Sequence, residues 1–232
     1  MKKVFLGVGH GGTDSGAVGN GLKEKNLNLA IALACRDELK AYGVDVGMSR
    51  VKDENDTLND EVKECNAFSP DLAVDIHNNA GGGDGAEVYY HYKGGVSKTL
   101  AENINAQIVK IGQNSRGIKT RLNSSGTDYY GFIRMTKAPA VIVECAFIDN
   151  ATDIKIIDTA AEQKAMGIAI AKGILKTLGI EAKPVTTPTQ TQSGNKLYRV
   201  QVGAYADKTN ADKMLAKLKA AGFDGIIVET TK

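Results

Sequence analysis

Apolar residues in this chain fall into short runs of two kinds, and the two kinds alternate. Residues 4–8, 44–48, the run ending at His77, residues 87–92 and residues 140–144 are brief and rich in valine, isoleucine and tyrosine, which predicts strands. Between them, residues 24–42 carry Leu27, Ala30, Ile31, Ala34 and Leu39 at helical spacing, with Gly43 as the following C-cap. Residues 58–68, 97–111 and 160–178 also read as helices. Strands alternating with helices predict an α/β fold: a mainly parallel central sheet with helices on both faces.

The pattern changes after residue 180. Residues 181–195 hold Pro184, Pro188, four threonines, two glutamines, Ser193 and Gly194. Such a stretch buries too little apolar area to order itself and reads as a linker. Beyond it, residues 198–202 predict a strand, 210–220 a helix with Met214, Leu215 and Leu218 as apolar positions, and 226–229 a second strand. One small βαβ unit cannot cover both faces of its own sheet. Residues 196–232 are therefore expected to pair with another copy, as in a homodimer.

Composition narrows the class. An apolar content of 42% and a charged content of 24% belong to a globular chain. No stretch approaches the roughly 20 apolar residues of a membrane span. Met1-Lys2-Lys3 is followed by an apolar run too short for a signal peptide, so synthesis in the cytoplasm without an export signal is expected. In residues 196–232, seven Lys/Arg against four acids give +3, leaving −1 for residues 1–195 within a total of +2. That surplus helps adhesion to an anionic polymer and is too small for a nucleic-acid-binding role. Cys35, Cys65 and Cys145 are odd in number and lack CxxC spacing, so they are expected to be buried thiols.

The candidate chemistry sits at strand ends. His10, His77 and Glu144 close three of the predicted strands, at the sheet edge where open α/β folds bind ligands. Hydrolytic zinc sites take three ligands from His, Asp or Glu and leave a position for water, and a further carboxylate moves the proton. His10 and His77 are natural ligands, Glu24 at the start of the first helix can supply the third, and Glu144 remains as general base and acid. Asp75, two residues before His77 on the same strand face, is placed to orient an imidazole. His91, in a tyrosine-rich strand, reads as structural. The pattern alone leaves two alternatives open: core histidines satisfied by hydrogen bonds, and an NADP-binding Rossmann oxidoreductase. Gly7-Val8-Gly9-His10-Gly11-Gly12 is a literal GxGxxG after a strand, and Arg50 could meet a 2′-phosphate. Against the second, the helix begins about ten residues late and no acid ends the second strand.

Family motifs add to this. Gly9-His10-Gly11-Gly12-Thr13-Asp14-Ser15-Gly16-Ala17, Leu22-Lys23-Glu24-Lys25-Asn26-Leu27-Asn28-Leu29, Ile76-His77-Asn78-Asn79-Ala80, and Phe132-Ile133-Arg134-Met135-Thr136 leading to Glu144 occur in order. They resemble the motifs of the zinc-dependent N-acetylmuramoyl-L-alanine amidases of the Amidase_3 type, over about residues 1–178. The resemblance implies Zn2+ on His10, Glu24 and His77, Glu144 as the catalytic acid/base, and peptidoglycan as substrate, cut between N-acetylmuramic acid and L-alanine. Asp75, Asn79 and Arg134 are candidates for supporting a ligand or contacting substrate. Val8 stands where many members have proline, and Asp75 where serine is frequent. The loop of residues 123–130 is expected to shape the stem-peptide groove. The tail Tyr198-Arg199-Val200-Gln201-Val202-Gly203-Ala204-Tyr205 resembles the start of a SPOR domain at half its length, which implies wall binding; a plain dimerisation piece is the alternative. Without an export signal, the expected role is that of a phage or prophage endolysin reaching the wall after release, with a mother-cell enzyme at sporulation-linked lysis as the alternative.

Overall fold

The first strand, β1 (Lys3–Val8), is buried almost throughout because it is hydrogen-bonded on both edges and covered on both faces. The structure is a computed structural model that describes residues 1–181, 202–220 and 226–229. After β1 come the two-residue strands β2 (Val18–Gly19) and β3 (Leu22–Lys23), α1 (Glu24–Ala41), β4 (Asp45–Met48), α2 (Leu58–Phe68) and β5 (Leu72–Asn79). β6 (Ala86–Tyr90), α3 (Val96–Lys110), β7 (Ser115–Lys119), α4 (Gly131–Met135) and β8 (Ala140–Phe147) follow. A 3-10 turn at Asp153–Ile156 leads to α5 (Ala160–Thr177).

The sheet order is β4-β1-β5-β8-β6-β7. β1 pairs in parallel with β4 and β5, and β5 with β8; β6 runs antiparallel to β8 and parallel to β7. The expected mainly parallel sheet is present, with its last two strands reversed. Residues alternate between two cores, as strand geometry requires. Val4, Leu6, Val74, Ile76, Val141 and Val143 face α1, α3 and α5. Phe5, Ala73, Ala140 and Ile142 face α2 and α4 in a smaller cluster with Phe132 and Ile133. Thin cover on that second side leaves its edge open for a site.

Local signals explain the ends of several elements. Gly43 follows α1 with φ +74, and its N–H returns to the Lys40 carbonyl. Thr159 and Glu162 form a reciprocal capping box at the start of α5. Thr57 caps α2 by accepting from the Asp60 N–H. Cys35, Cys65 and Cys145 are all buried and free, and Cys145 lies in the large core, on the face opposite Glu144.

The chain divides into two units, Met1–Val185 and Thr186–Lys232. In the second, α6 (Lys208–Ala220) forms where a helix was predicted, with Ala211, Met214, Leu215 and Leu218 less exposed than their neighbours. The strand expected at residues 226–229 has no β ladder among the described residues, since no partner strand is hydrogen-bonded to it. Most of the strand expected at 198–202 and all of the linker beyond residue 181 lie outside the described residues. Among the described residues, no helix is long and apolar enough to cross a membrane.

Candidate active site

His10, Glu24 and His77 converge: one ligand atom from each lies within 4.8 Å of the others. Three different devices bring them together. His10 follows the end of β1 with φ 63, a left-handed conformation that is costly for a residue with a Cβ and turns its ring back over the sheet edge. Glu24 is the first residue of α1, 3% exposed. The hairpin of β2 and β3, which the sequence pattern did not predict, occupies the residues that postpone the helix and delivers Glu24 to the edge. His77 lies in β5 on the same face as Asp75.

The Glu24 carboxylate spans the two rings, with Oε2 3.2 Å from His10 Nε2 and Oε1 3.1 Å from His77 Nδ1. The Ala17 N–H donates to Oε2 at 2.8 Å, and the Asn78 N–H and Asn28 Nδ2 donate to Oε1 at 3.1 and 3.3 Å. Burial opposes ionisation of Glu24, but the hydrogen bonds with His10 and His77 outweigh it and hold the carboxyl far below the usual range. Each imidazole is gripped at its other nitrogen. Asp14 Oδ2 lies 2.8 Å from His10 Nδ1, and Asp75 Oδ2 lies 3.2 Å from His77 Nε2. Carboxylates in these positions fix the tautomer and leave His10 Nε2 and His77 Nδ1 facing the centre. Hydrogen bonding to Glu24 raises the His10 pKa. His77 is also raised: burial opposes this, but the Asp75 charge and the hydrogen bonds to Asp75 and Glu24 prevail.

Glu144 stands beside this trio. In the β5–β8 register it is the direct partner of His77. Its Oε2 is buried and has no hydrogen-bond partner, as is Asp75 Oδ1 close by. Burial pushes the Glu144 pKa up to about 7, while the His77 charge pulls the other way. A cleft of about 270 Å³ opens beside His10 and His77, lined also by Asp14, Asp75, Thr57 and Tyr130, with Glu24 buried behind it. Two nitrogens and one carboxylate with second-sphere carboxylates, an open side and an unsatisfied carboxyl oxygen are the donor set of a catalytic divalent-metal site. The residues fit a metal ion.

The family model for N-acetylmuramoyl-L-alanine amidase matches residues 4–176, and that for the SPOR domain matches residues 169–229. The chain belongs to the N-acetylmuramoyl-L-alanine amidase family. A sporulation-specific N-acetylmuramoyl-L-alanine amidase of Bacillus subtilis is 34% identical, over 98% of this chain and 85% of that protein. An endolysin of Bacillus phage SPP1 is 35% identical, over 78% of this chain and 68% of that protein. The catalytic domain of an N-acetylmuramoyl-L-alanine amidase from Bacillus (Paenibacillus) polymyxa superposes with a TM-score of 0.70 at 31% identity, covering 78% of this chain and all of that domain.

The remaining expected residues of this amidase take other places. Asn79 does not touch the trio; its side chain is 3.5 Å from Glu87 and accepts from the Ala80 N–H. Its neighbour Asn78 contacts Glu24 through the main chain and Asn28 through the side chain. Arg134 donates to the Asp128 and Tyr129 carbonyls at 2.6 and 2.8 Å, which ties down the loop of residues 123–130. His91 pairs with the buried Asp128, whose other oxygen accepts from the Tyr92 N–H, so it anchors the same loop, as a structural histidine would. Tyr130, at the end of that loop, lines the cleft.

The nucleotide reading fails on Arg50. That side chain is 2% exposed and donates to the carbonyls of Val8, Gly9, Lys25 and Lys52, bracing the His10 turn from beneath. A buried guanidinium with four of its five N–H donors on main-chain carbonyls is not presented to a phosphate. Asp14, Asn28, Asn78 and the buried Glu61 were not singled out from sequence. Asp14 alone carried a signal, its i,i+4 spacing from His10, whereas the others depend on contacts between distant segments.

Proposed function

We propose that this peptidoglycan amidase uses a zinc ion on His10, Glu24 and His77, with Glu144 as the proton-transfer residue. The carrying observation is the register pairing of Glu144 with His77, beside three ligand atoms mutually within 4.8 Å. When bound, zinc supplies Lewis acidity, lowering the pKa of a water toward about 7 and polarising the amide carbonyl. Asp14 and Asp75 hold the imidazoles in the ligating tautomer. Glu144 takes a proton from the attacking water as the C–O bond forms. It then delivers that proton to the departing nitrogen as the C–N bond breaks. The products are the lactyl carboxylate on N-acetylmuramic acid and a stem peptide with a free L-alanine amine.

Mass spectrometry of fragments released from purified peptidoglycan, with zinc-loaded protein and again after chelation, tests this. Stem peptides beginning at L-alanine and appearing only with metal are the expected result. Cleavage elsewhere, or unchanged release after chelation, overturns it.

The domain reading is catalytic residues 1–180, linker 181–195 and a wall-binding unit at 196–232. Two such units from two chains assemble one binding module. The SPOR match over residues 169–229 supports wall binding, and the stripe of Met214, Leu215 and Leu218 on α6 supports the pairing. Light scattering on the full chain and on a chain ending at residue 181 tests it: the first is a dimer, the second a monomer. A monomeric full chain overturns the pairing.

The biological role we infer is wall lysis in a sporulating mother cell, where the enzyme meets the wall at or near lysis. The support is that similarity to the sporulation-specific relative runs through the tail, covering 98% of the chain, whereas similarity to the phage endolysin covers 78%. Immunoblots of the source cells distinguish the two. Appearance with sporulation supports this role, and appearance on prophage induction favours an endolysin instead.

A further inference from the structure

Glu87 is the cross-strand partner of Glu144 on β6 and lies on the same sheet face. It is 3% exposed, yet two cations share one of its oxygens: Arg116 Nε and Lys119 Nζ each lie 2.5 Å from Oε1. The Tyr89 hydroxyl donates to Oε2 at 2.8 Å. Two cations thus converge on one buried carboxylate beside Glu144, with Asp84 the further acid acting on Arg116. Both side chains stay partly exposed, at 42% and 33%. Arg116 is tethered through Nε, which leaves its terminal nitrogens as a fork. Its guanidinium lies 5.2 Å from the Phe147 ring centroid, which limits its motion. A planar fork held this way suits a carboxylate better than a free ammonium does.

Other cations near the site are engaged elsewhere, including Arg121, which stacks on the Tyr129 ring at 3.7 Å and lies 6.0 Å from the Tyr130 ring. The interior is acidic, with Glu24, Asp75, Glu61 and Glu144. Lys25 is committed to Asp53 and the Gly12 carbonyl, Arg50 is buried on four carbonyls, and Arg134 is spent on its loop.

We propose that Arg116 and Lys119 form a subsite for a free carboxylate of the stem peptide, the α-carboxylate of the residue after L-alanine. They make the amidase selective for stems in which that group is charged. The second stem residue is an acid joined onward through its side-chain carboxyl, so its α-carboxylate lies about two residues from the scissile nitrogen. Two extended residues span about 7 Å. β6 lies about 5 Å from β8, and although Arg116 and Lys119 are carried on β7, about 10 Å away, their head groups sit on Glu87 of β6 and so fall within that reach. The assignment rests on Glu144 marking the scissile bond.

The test uses two synthetic muramyl peptides, identical except for an α-carboxylate or an α-carboxamide at the second residue, with zinc-loaded full-length protein. The expected kcat/KM ratio favours the carboxylate by about tenfold, the size of one charge-assisted hydrogen bond, and shrinks with added salt. Arg116→Gln and Lys119→Met each lower the ratio, the double variant brings it near one, and Arg116→Lys keeps part of it. A ratio near one in the native protein overturns the proposal whether or not any variant folds. So does a ratio unchanged in variants that melt normally and retain zinc. Glu144→Gln separates the two readings: native-like turnover by that variant sinks the role of Glu144, whereas its inactivity beside an indifferent native enzyme sinks only the subsite.

Discussion

Gly9 lies so close to the His77 ring that a Cβ built on it falls 2.1 Å from Cε1 and 2.3 Å from Nε2. No side chain fits there, so the chain leaving β1 must present bare backbone where β5 presents the His77 ring. Gly7 does the same one pleat earlier, where a Cβ would meet Glu61 and Asp75. Gly9→Ala therefore displaces His77. Zinc affinity, measured by competition with a chelator, is expected to fall at least about tenfold, the size of effect seen when a ligand's support is removed. Native zinc affinity in this variant contradicts the assignment of His77 as a ligand.

Glu144→Gln keeps the shape and removes the proton acceptor. Turnover is expected to fall by about 100-fold or more, with zinc stoichiometry unchanged. A near-native rate on intact peptidoglycan contradicts the acid/base role.

The Glu144 pKa of about 7 also sets a pH dependence. As a base it works ionised, so kcat/KM is expected to decline as pH falls through its titration. A bound cation shifts that decline to lower pH. In metal-free protein the sign for stability is the opposite. The folded pKa lies above the unfolded value of 4.5, so between those values the folded state holds more protons and stability drops as pH rises. Metal-free Glu144→Gln is accordingly expected to exceed metal-free native protein in stability at pH 8, by about 3 kcal/mol at most, with little difference at pH 4. Urea titrations at both values measure it.

Arg50→Ala removes a buried cation from four carbonyls and leaves a void under the His10 turn. A loss of about 3 kcal/mol in urea unfolding is expected, together with weaker zinc binding, because the His10 backbone is no longer braced. NADPH titrated against the native protein should produce no fluorescence change.

Much of the site can be read from residue types at strand ends. His10, His77 and Glu144 each close an apolar run, and a charged group there faces either a core or a crevice. Glu24 was legible because it opens a helix whose apolar stripe begins at once with Leu27. Residues acting through contacts could not be read in this way. Asn78 and Asn79 are adjacent and identical in type, yet a bulge between the β5 and β8 registers separates their surroundings. Arg50 had the chemistry of a phosphate ligand and the location of a brace. Glu87, in an ordinary alternating strand, gained its place beside Glu144 only because β6 runs antiparallel to β8.

What this sequence determined by itself is the layered α/β plan and the candidate residues His10, Glu24, His77 and Glu144, because hydrophobic period, strand-end chemistry and family motifs are local. The tertiary structure decided which carboxylate grips which imidazole, the direction of the last two strands and the pairing of Glu87 with Glu144. Those depend on register and strand direction, which local alternation of apolar and polar residues leaves unspecified, since a strand shows the same period whichever way its neighbour runs.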